Sequence, residues 1–167
     1  TINNTGAISV SVSGYNTAAG IYSITQDGDT NITNGTKAIN VSSEYGTALG
    51  ISADSYSGDS TIGSNGAITV NGYSVAGIAA SAGYYSEYGG SIGNVSVTTG
   101  STSNINANGD YAAGIYLYAT GNVSVSNGGA ILANSSGEYG SAVGIYINAY
   151  GTATVTNSGS IKATGSD

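Results

Sequence analysis

The sequence predicts an all-β fold, a parallel β-helix (β-solenoid) with three short strands per coil, about 30 residues per coil and 5–6 coils. Three observations predict it. A Gly-Ile pair recurs at Gly20-Ile21, Gly50-Ile51, Gly77-Ile78, Gly114-Ile115 and Gly144-Ile145, at spacings of 30, 27, 37 and 30 residues. Two other apolar elements recur between these pairs, always in the same order. No stretch carries its apolar residues at a helical period.

The first element of each coil is a β-branched residue shortly before a turn, at Ile2, Ile32, Ile62, Val97, Val125 and Val155. The second reads Ile-x-(Val/Ala), at Ile8/Val10, Ile39/Val41, Ile68/Val70, Ile105/Ala107, Ile131/Ala133 and Ile161/Ala163. The third holds the Gly-Ile pair. Each alternates apolar with polar or small residues, as in NVSVSN from Asn122 to Asn127. The apolar members are mostly β-branched or tyrosine, which suit a pleated, half-buried surface. Gly, Asn, Asp and Ser fill the gaps as turn formers. Stacked at about 4.8 Å per coil, the repeats would build a rod of roughly 25 Å. An antiparallel sandwich accounts for the strand spacing but not for the in-order repeat.

Within the third strand, unbroken alternation places Ile21, Ile51, Ile78, Ile115 and Ile145 inward. Ala19, Leu49, Ala76, Ala113 and Val143 should then join them two residues earlier, and Ser23, Ala53, Ala80, Leu117 and Ile147 two residues later. Ala18, Ala48, Val75, Ala112 and Ala142 should face outward with the glycines. The expected result is a flat lateral packing strip of Gly20, Gly50, Gly77, Gly114 and Gly144, edged by Tyr22, Tyr116 and Tyr146. Asn4, Asn34, Asn65, Asn127 and Asn157 follow the first strand, each with a glycine close by, and are expected to stack as a structural turn ladder. The fourth coil departs from this pattern with Thr99-Gly100. Several Asn sit in N-x-(Ser/Thr) triplets, which so Asn- and Ser-rich a chain produces by chance.

The third coil is long. Ile78 and Val97 lie 19 residues apart, against 10 or 11 at the matching places elsewhere. The excess falls in SAGYYSEYGGSIG, Ser81 to Gly93, and makes Tyr84, Tyr85, Glu87 and Tyr88 a candidate contact loop. A neutral insertion on a tolerant corner is the competing reading.

The whole of residues 1–167 reads as one solenoid segment, expected to be a window of a longer repeat protein. An apolar fraction of 40% at regular positions argues against disorder. Lys37 and Lys162 are the only cations against nine carboxylates, for a formal charge of −7. Nucleic acid is excluded as a partner, because nothing here neutralises phosphates. No run of about 18 apolar residues exists, so no direct membrane insertion is expected.

Catalytic constellations are missing. Acid–base cleavage of a sugar needs two carboxylates about 5 to 10 Å apart. Glu44 and Glu138 share a repeat position but fall three coils, about 14 Å, from each other. Without His or Cys no nucleophilic triad forms. Asp27-Gly28-Asp29 lacks the spacing of calcium-binding loops and reads as a solvated turn. No enzyme activity, cofactor or metal is expected.

The stretch GNVSVSNGGAILANSSGEYGSAVGIYINAYGTATVTNSGSIKATG, Gly121 to Gly165, resembles the repeat of bacterial autotransporter-type (type V secretion) passenger domains. The resemblance covers the whole chain, with degenerate earlier coils. It implies a right-handed parallel β-helix exposed outside the cell, at the bacterial surface. It also implies an adhesive role, as a rigid stalk or adhesin-like passenger of the biofilm type. The partners would be further coils or copies of itself, or a surface protein or glycan of a host or neighbouring cell. The first alternative is a self-assembling filament or matrix protein built by end-to-end or lateral packing. A polysaccharide-processing β-helix enzyme is a remote one.

Overall fold

In a computed structural model, which describes residues 1–84 and 90–165, all regular structure is β-strand. Strands β1 (Ile2–Asn4), β2 (Ile8–Val12) and β3 (Ala18–Thr25) form the first turn, and β4 (Thr30–Asn34), β5 (Ile39–Ser43) and β6 (Thr47–Ser55) the second. The third holds β7 (Ser60–Ser64), β8 (Ile68–Tyr84) and the short β9 (Ser91–Ile92). The fourth holds β10 (Val95–Thr99) and β11 (Asn104–Ala119). The fifth comprises β12 (Val123–Asn127), β13 (Ala130–Ser135) and β14 (Ser141–Ala149), followed by β15 (Ala153–Asn157) and β16 (Ser160–Thr164). The fold is the expected β-solenoid. In turns three and four the second and third strands are continuous, so three short strands become two, one of them 17 or 16 residues long.

All three repeat elements stack in register. Ile2, Ile32, Ile62, Val97, Val125 and Val155 form one parallel column. Ile8, Ile39, Ile68, Ile105, Ile131 and Ile161 form a second. Ile21, Ile51, Ile78, Ile115 and Ile145 form the third. The columns converge on one core whose largest fully buried side chains are mostly isoleucines. Each such side chain is worth about 1.5–3 kcal/mol of burial. A β-branched residue suits a column because its single preferred χ1 rotamer repeats at every step.

The alternation expected through the third strand does not hold. Ala18, Ala48, Val75 and Ala112 are buried in the core, whereas Leu49, Ala113 and Val143 lie outside it. The glycine turns inward as well. A Cβ on Gly20 would stand 2.5 Å from Ile39 Cγ2 and 2.7 Å from Gly50 O. The equivalent Cβ atoms at Gly50, Gly77, Gly114 and Gly144 would collide with Cγ2 of Ile68, Ile105, Ile131 and Ile161. Two consecutive residues, Gly and Ile, thus face the core. This is sterically allowed because the first has no side chain and the second strand's isoleucine fills its place. The glycines therefore form no outer packing strip.

The turns are bound by side-chain ladders. Asn4 Nδ2 donates to Asn34 Oδ1 at 2.8 Å, and Asn34 Nδ2 donates to Ser64 Oγ at 3.1 Å. Thr99 Oγ1 donates to Asn127 Oδ1, and Asn127 Nδ2 donates to Asn157 Oδ1 at 2.7 Å. Asn4, Asn34, Asn127 and Asn157 occupy the expected ladder. Asn65 does not: Ser64 holds the register position of Asn34 and Thr99, and Asn65 is exposed one residue on. The inward requirement at this corner is polar and small, so Ser and Thr satisfy it as Asn does.

A second ladder was not anticipated. Asp59 N donates to Asp29 Oδ1 at 2.9 Å, Asn94 N to Asp59 Oδ1 at 2.7 Å, Asn122 N to Asn94 Oδ1 at 2.8 Å and Thr152 N to Asn122 Oδ1 at 2.8 Å. Asp29, read as part of a solvated acidic turn, is its first member. The adjoining Gly28 adopts φ of 100°, which gives this turn its left-handed backbone.

Candidate functional site

The inward Gly-Ile pair has a consequence on the outer surface. Along β11, Ala113 and Tyr116 face out, with Gly114 and Ile115 between them facing in. The outer face therefore lacks a side chain at the Gly-Ile pair, and the pair repeats in every turn. A trough runs along the rod beside it, with a volume of about 500 Å³. Leu49, Ala76, Ala113 and Val143 line its floor. These four stack in one register column.

Tyrosines form its walls. Tyr116 and Tyr146 are register partners and stack face to face, ring centroids 4.8 Å apart and planes 10° from parallel. Tyr111 stands on the opposite wall, edge-on to Tyr73 at 5.5 Å. The Tyr73 phenol is held above the ordinary value of 10.0, first by its hydrogen bond with Tyr111 and then by that neighbour's charge. The Tyr73 phenol is thus neutral at physiological pH, and Tyr111 presents an apolar face and a polar tip beside the apolar floor.

The outer tyrosines named from the sequence are where expected. Tyr22, Tyr116 and Tyr146 are 55%, 48% and 41% exposed. The structure joins Tyr116 and Tyr146 in the trough and leaves Tyr22 outside it. What fills the space between the tyrosine walls is the Leu49–Val143 column, assigned inward by the sequence reading. The glycines expected there lie beneath it. The signal that could have located the trough was the Gly-Ile pair itself, since an inward glycine forces two inward positions in succession.

The long third coil folds back at its base. Gly83 and Tyr84 pair antiparallel with Ile92 and Ser91. Thr120 Oγ1 donates to Ser91 O at 2.8 Å, so the base of the insertion is fastened to the fourth turn. Tyr84 is 53% exposed. Tyr85, Glu87 and Tyr88 lie outside the described residues.

Among the described residues no three or more His, Cys, Asp or Glu side chains converge in a metal-binding group. Asp110 lies between the positions of Glu44 and Glu138 along the rod, and its carboxylate accepts a long bond from Ser136 Oγ at 3.4 Å. Glu44 Oε2 accepts from Gly14 N at 3.3 Å and supports the neighbouring corner. Glu44 and Glu138 belong to turns and Asp110 to β11, and none of the three lines the tyrosine trough. The chain matches no protein-family model, no curated protein and no solved structure.

Proposed function

We propose that this chain is a segment of an extracellular structural and adhesive β-solenoid, a rigid bacterial surface rod that carries a tyrosine-walled contact trough. The observation that carries this reading is the trough. Its floor is aliphatic and its walls are tyrosines, whereas most of the remaining outer surface is Ser, Thr and Asn. Tyrosine combines a large apolar face with a polar tip at low entropic cost, which suits contact with a protein or glycan surface. The stacked isoleucine columns supply stiffness. The resemblance of the repeat to autotransporter-type passenger domains supports a position outside the cell.

Cells displaying the chain should adhere to host or neighbouring cells. Replacing Tyr116 and Tyr146 together by serine should weaken that attachment at least about tenfold, since paired aromatic anchors carry most of such contact energy. The strand signal in circular dichroism should be kept. Full adhesion by the double variant would sink the reading. The apolar floor also favours a second reading, lateral packing of copies into a filament. In that case Val143→Glu would abolish concentration-dependent sedimentation of the purified chain, with no cell partner present.

A further inference from the structure

A separate cavity of about 290 Å³ opens further along the outer face, on turns one to four. Its origin is visible in two register columns. The first outward column after the Gly-Ile pair reads Tyr22, Ser52, Ala79, Tyr116. The second reads Ile24, Asp54, Ser81, Tyr118. Bulky side chains stand on turns one and four, and small ones on turns two and three. Asp54, Ser55, Ser81 and Gly83 line the cavity between the bulky residues of turns one and four. Tyr56 and Tyr84 close the end nearest the following turn.

The polar groups of this depression are already partly committed. Ser81 Oγ donates to Asp54 Oδ1 at 2.6 Å, and Ser55 Oγ donates to Gly28 O at 2.7 Å. Among the described residues no hydrogen bond falls on Asp54 Oδ2. Among the described residues Asp54 is the only carboxylate in the lining, and neither Lys37 nor Lys162 lines it. The chain as a whole carries −7. An anion is therefore repelled. The rest of the lining is the side chains of Tyr22, Tyr56, Tyr84 and Tyr118, the exposed aliphatic Ile24, and Gly83.

A carboxylate set among several tyrosines and an aliphatic side chain fits a diffuse positive charge covered by methyl groups. Such an ion is weakly hydrated, is attracted to ring faces, and makes apolar contact with Ile24. We propose that this depression binds a small organic ammonium ion bearing alkyl groups on nitrogen, with Asp54 as counter-ion and the tyrosines as its walls. The site goes beyond the adhesive reading and stands without it.

Isothermal titration calorimetry of the whole chain with choline chloride tests the site. Choline should bind, and its neutral carbon isostere should bind about tenfold more weakly. Asp54→Asn keeps an acceptor for Ser81 and should lower choline affinity about tenfold. Tyr56→Ser, at an exposed position, should lower it about threefold. Unchanged circular dichroism confirms that both variants are folded. Absence of choline binding overturns the proposal. So does equal affinity for choline and its isostere, wild-type affinity in Asp54→Asn, or a neutral methyl glycoside that binds as tightly as choline.

Discussion

Alanine in place of Gly114 is expected to destabilise the solenoid, and the cost follows from the contacts its Cβ would make. That atom would stand 2.6 Å from Gly144 O and would overlap Ile131 Cγ2. Ordinary contact lies near 3.4–4 Å. Neither neighbour has room to retreat. Ile131 is 1% exposed inside the core, and Gly144 lies between residues held in register with β11. Overpacking of this kind costs about 1–3 kcal/mol, and the stiffer unfolded chain offsets about 0.4–1 kcal/mol of it. A net loss of about 1–2 kcal/mol is expected. Gly63 supplies the control, because its added Cβ would meet nothing within 4 Å. Gly63→Ala should be neutral or stabilising by up to about 1 kcal/mol. Equilibrium urea unfolding of both variants, followed by circular dichroism, measures the difference. Stability in a solenoid is roughly a sum of turns and interfaces, so a broadened transition in Gly114→Ala also reports a weakened interface. If Gly114→Ala unfolds at or above the midpoint of Gly63→Ala, the inward orientation of the glycine is refuted. A glycine on an outer strip would have tolerated the methyl group.

Asn127→Ala removes the bond to Asn157 and the one to Gly129 O at 3.0 Å, and leaves the Thr99 hydroxyl without its acceptor. A loss of about 2–3 kcal/mol is expected, against less than about 0.5 kcal/mol for Asn65→Ala on the exposed side; thermal melts of the pair decide whether the ladder is drawn correctly. The Tyr118 phenol is raised above 10.0, first by burial and then by Tyr150 beside it. The neutral phenol is thus favoured in the folded state, so its contribution to stability is complete below the ordinary tyrosine value and is lost as pH rises through the raised one. Alkaline titration of tyrosinate absorbance should show a late step that Tyr118→Phe diminishes, and an unchanged late step would count against that environment.

Much of the fold was legible because a solenoid writes its contacts into its period. Ile2 and Ile32, or Ile115 and Ile145, are neighbours in space because they are equivalent in the repeat, so the spacing alone gave all three columns and their register. The departures arise where different side chains meet the same local requirement. Ser64 and Thr99 serve the turn ladder as well as Asn34 does, and a search for Asn moved the ladder to Asn65. Asp29, Asp59, Asn94 and Asn122 share a role that no single residue type marks, since carboxylate and carboxamide oxygens accept a backbone N–H alike.

The amino-acid pattern by itself determined the stacking. β-branched residues at fixed places in each turn leave few alternatives to parallel ladders around an aliphatic core, and this needs no knowledge of side-chain direction beyond alternation. The tertiary structure decided the faces. Alternation fails at Gly-Ile because an isoleucine from the second strand of the following turn occupies the place of the glycine's missing side chain, a contact between turns that is invisible along the chain. That one slip of phase moves Leu49, Ala113 and Val143 to the surface, draws the glycines inward, and opens the trough between Tyr111 and the Tyr116–Tyr146 stack.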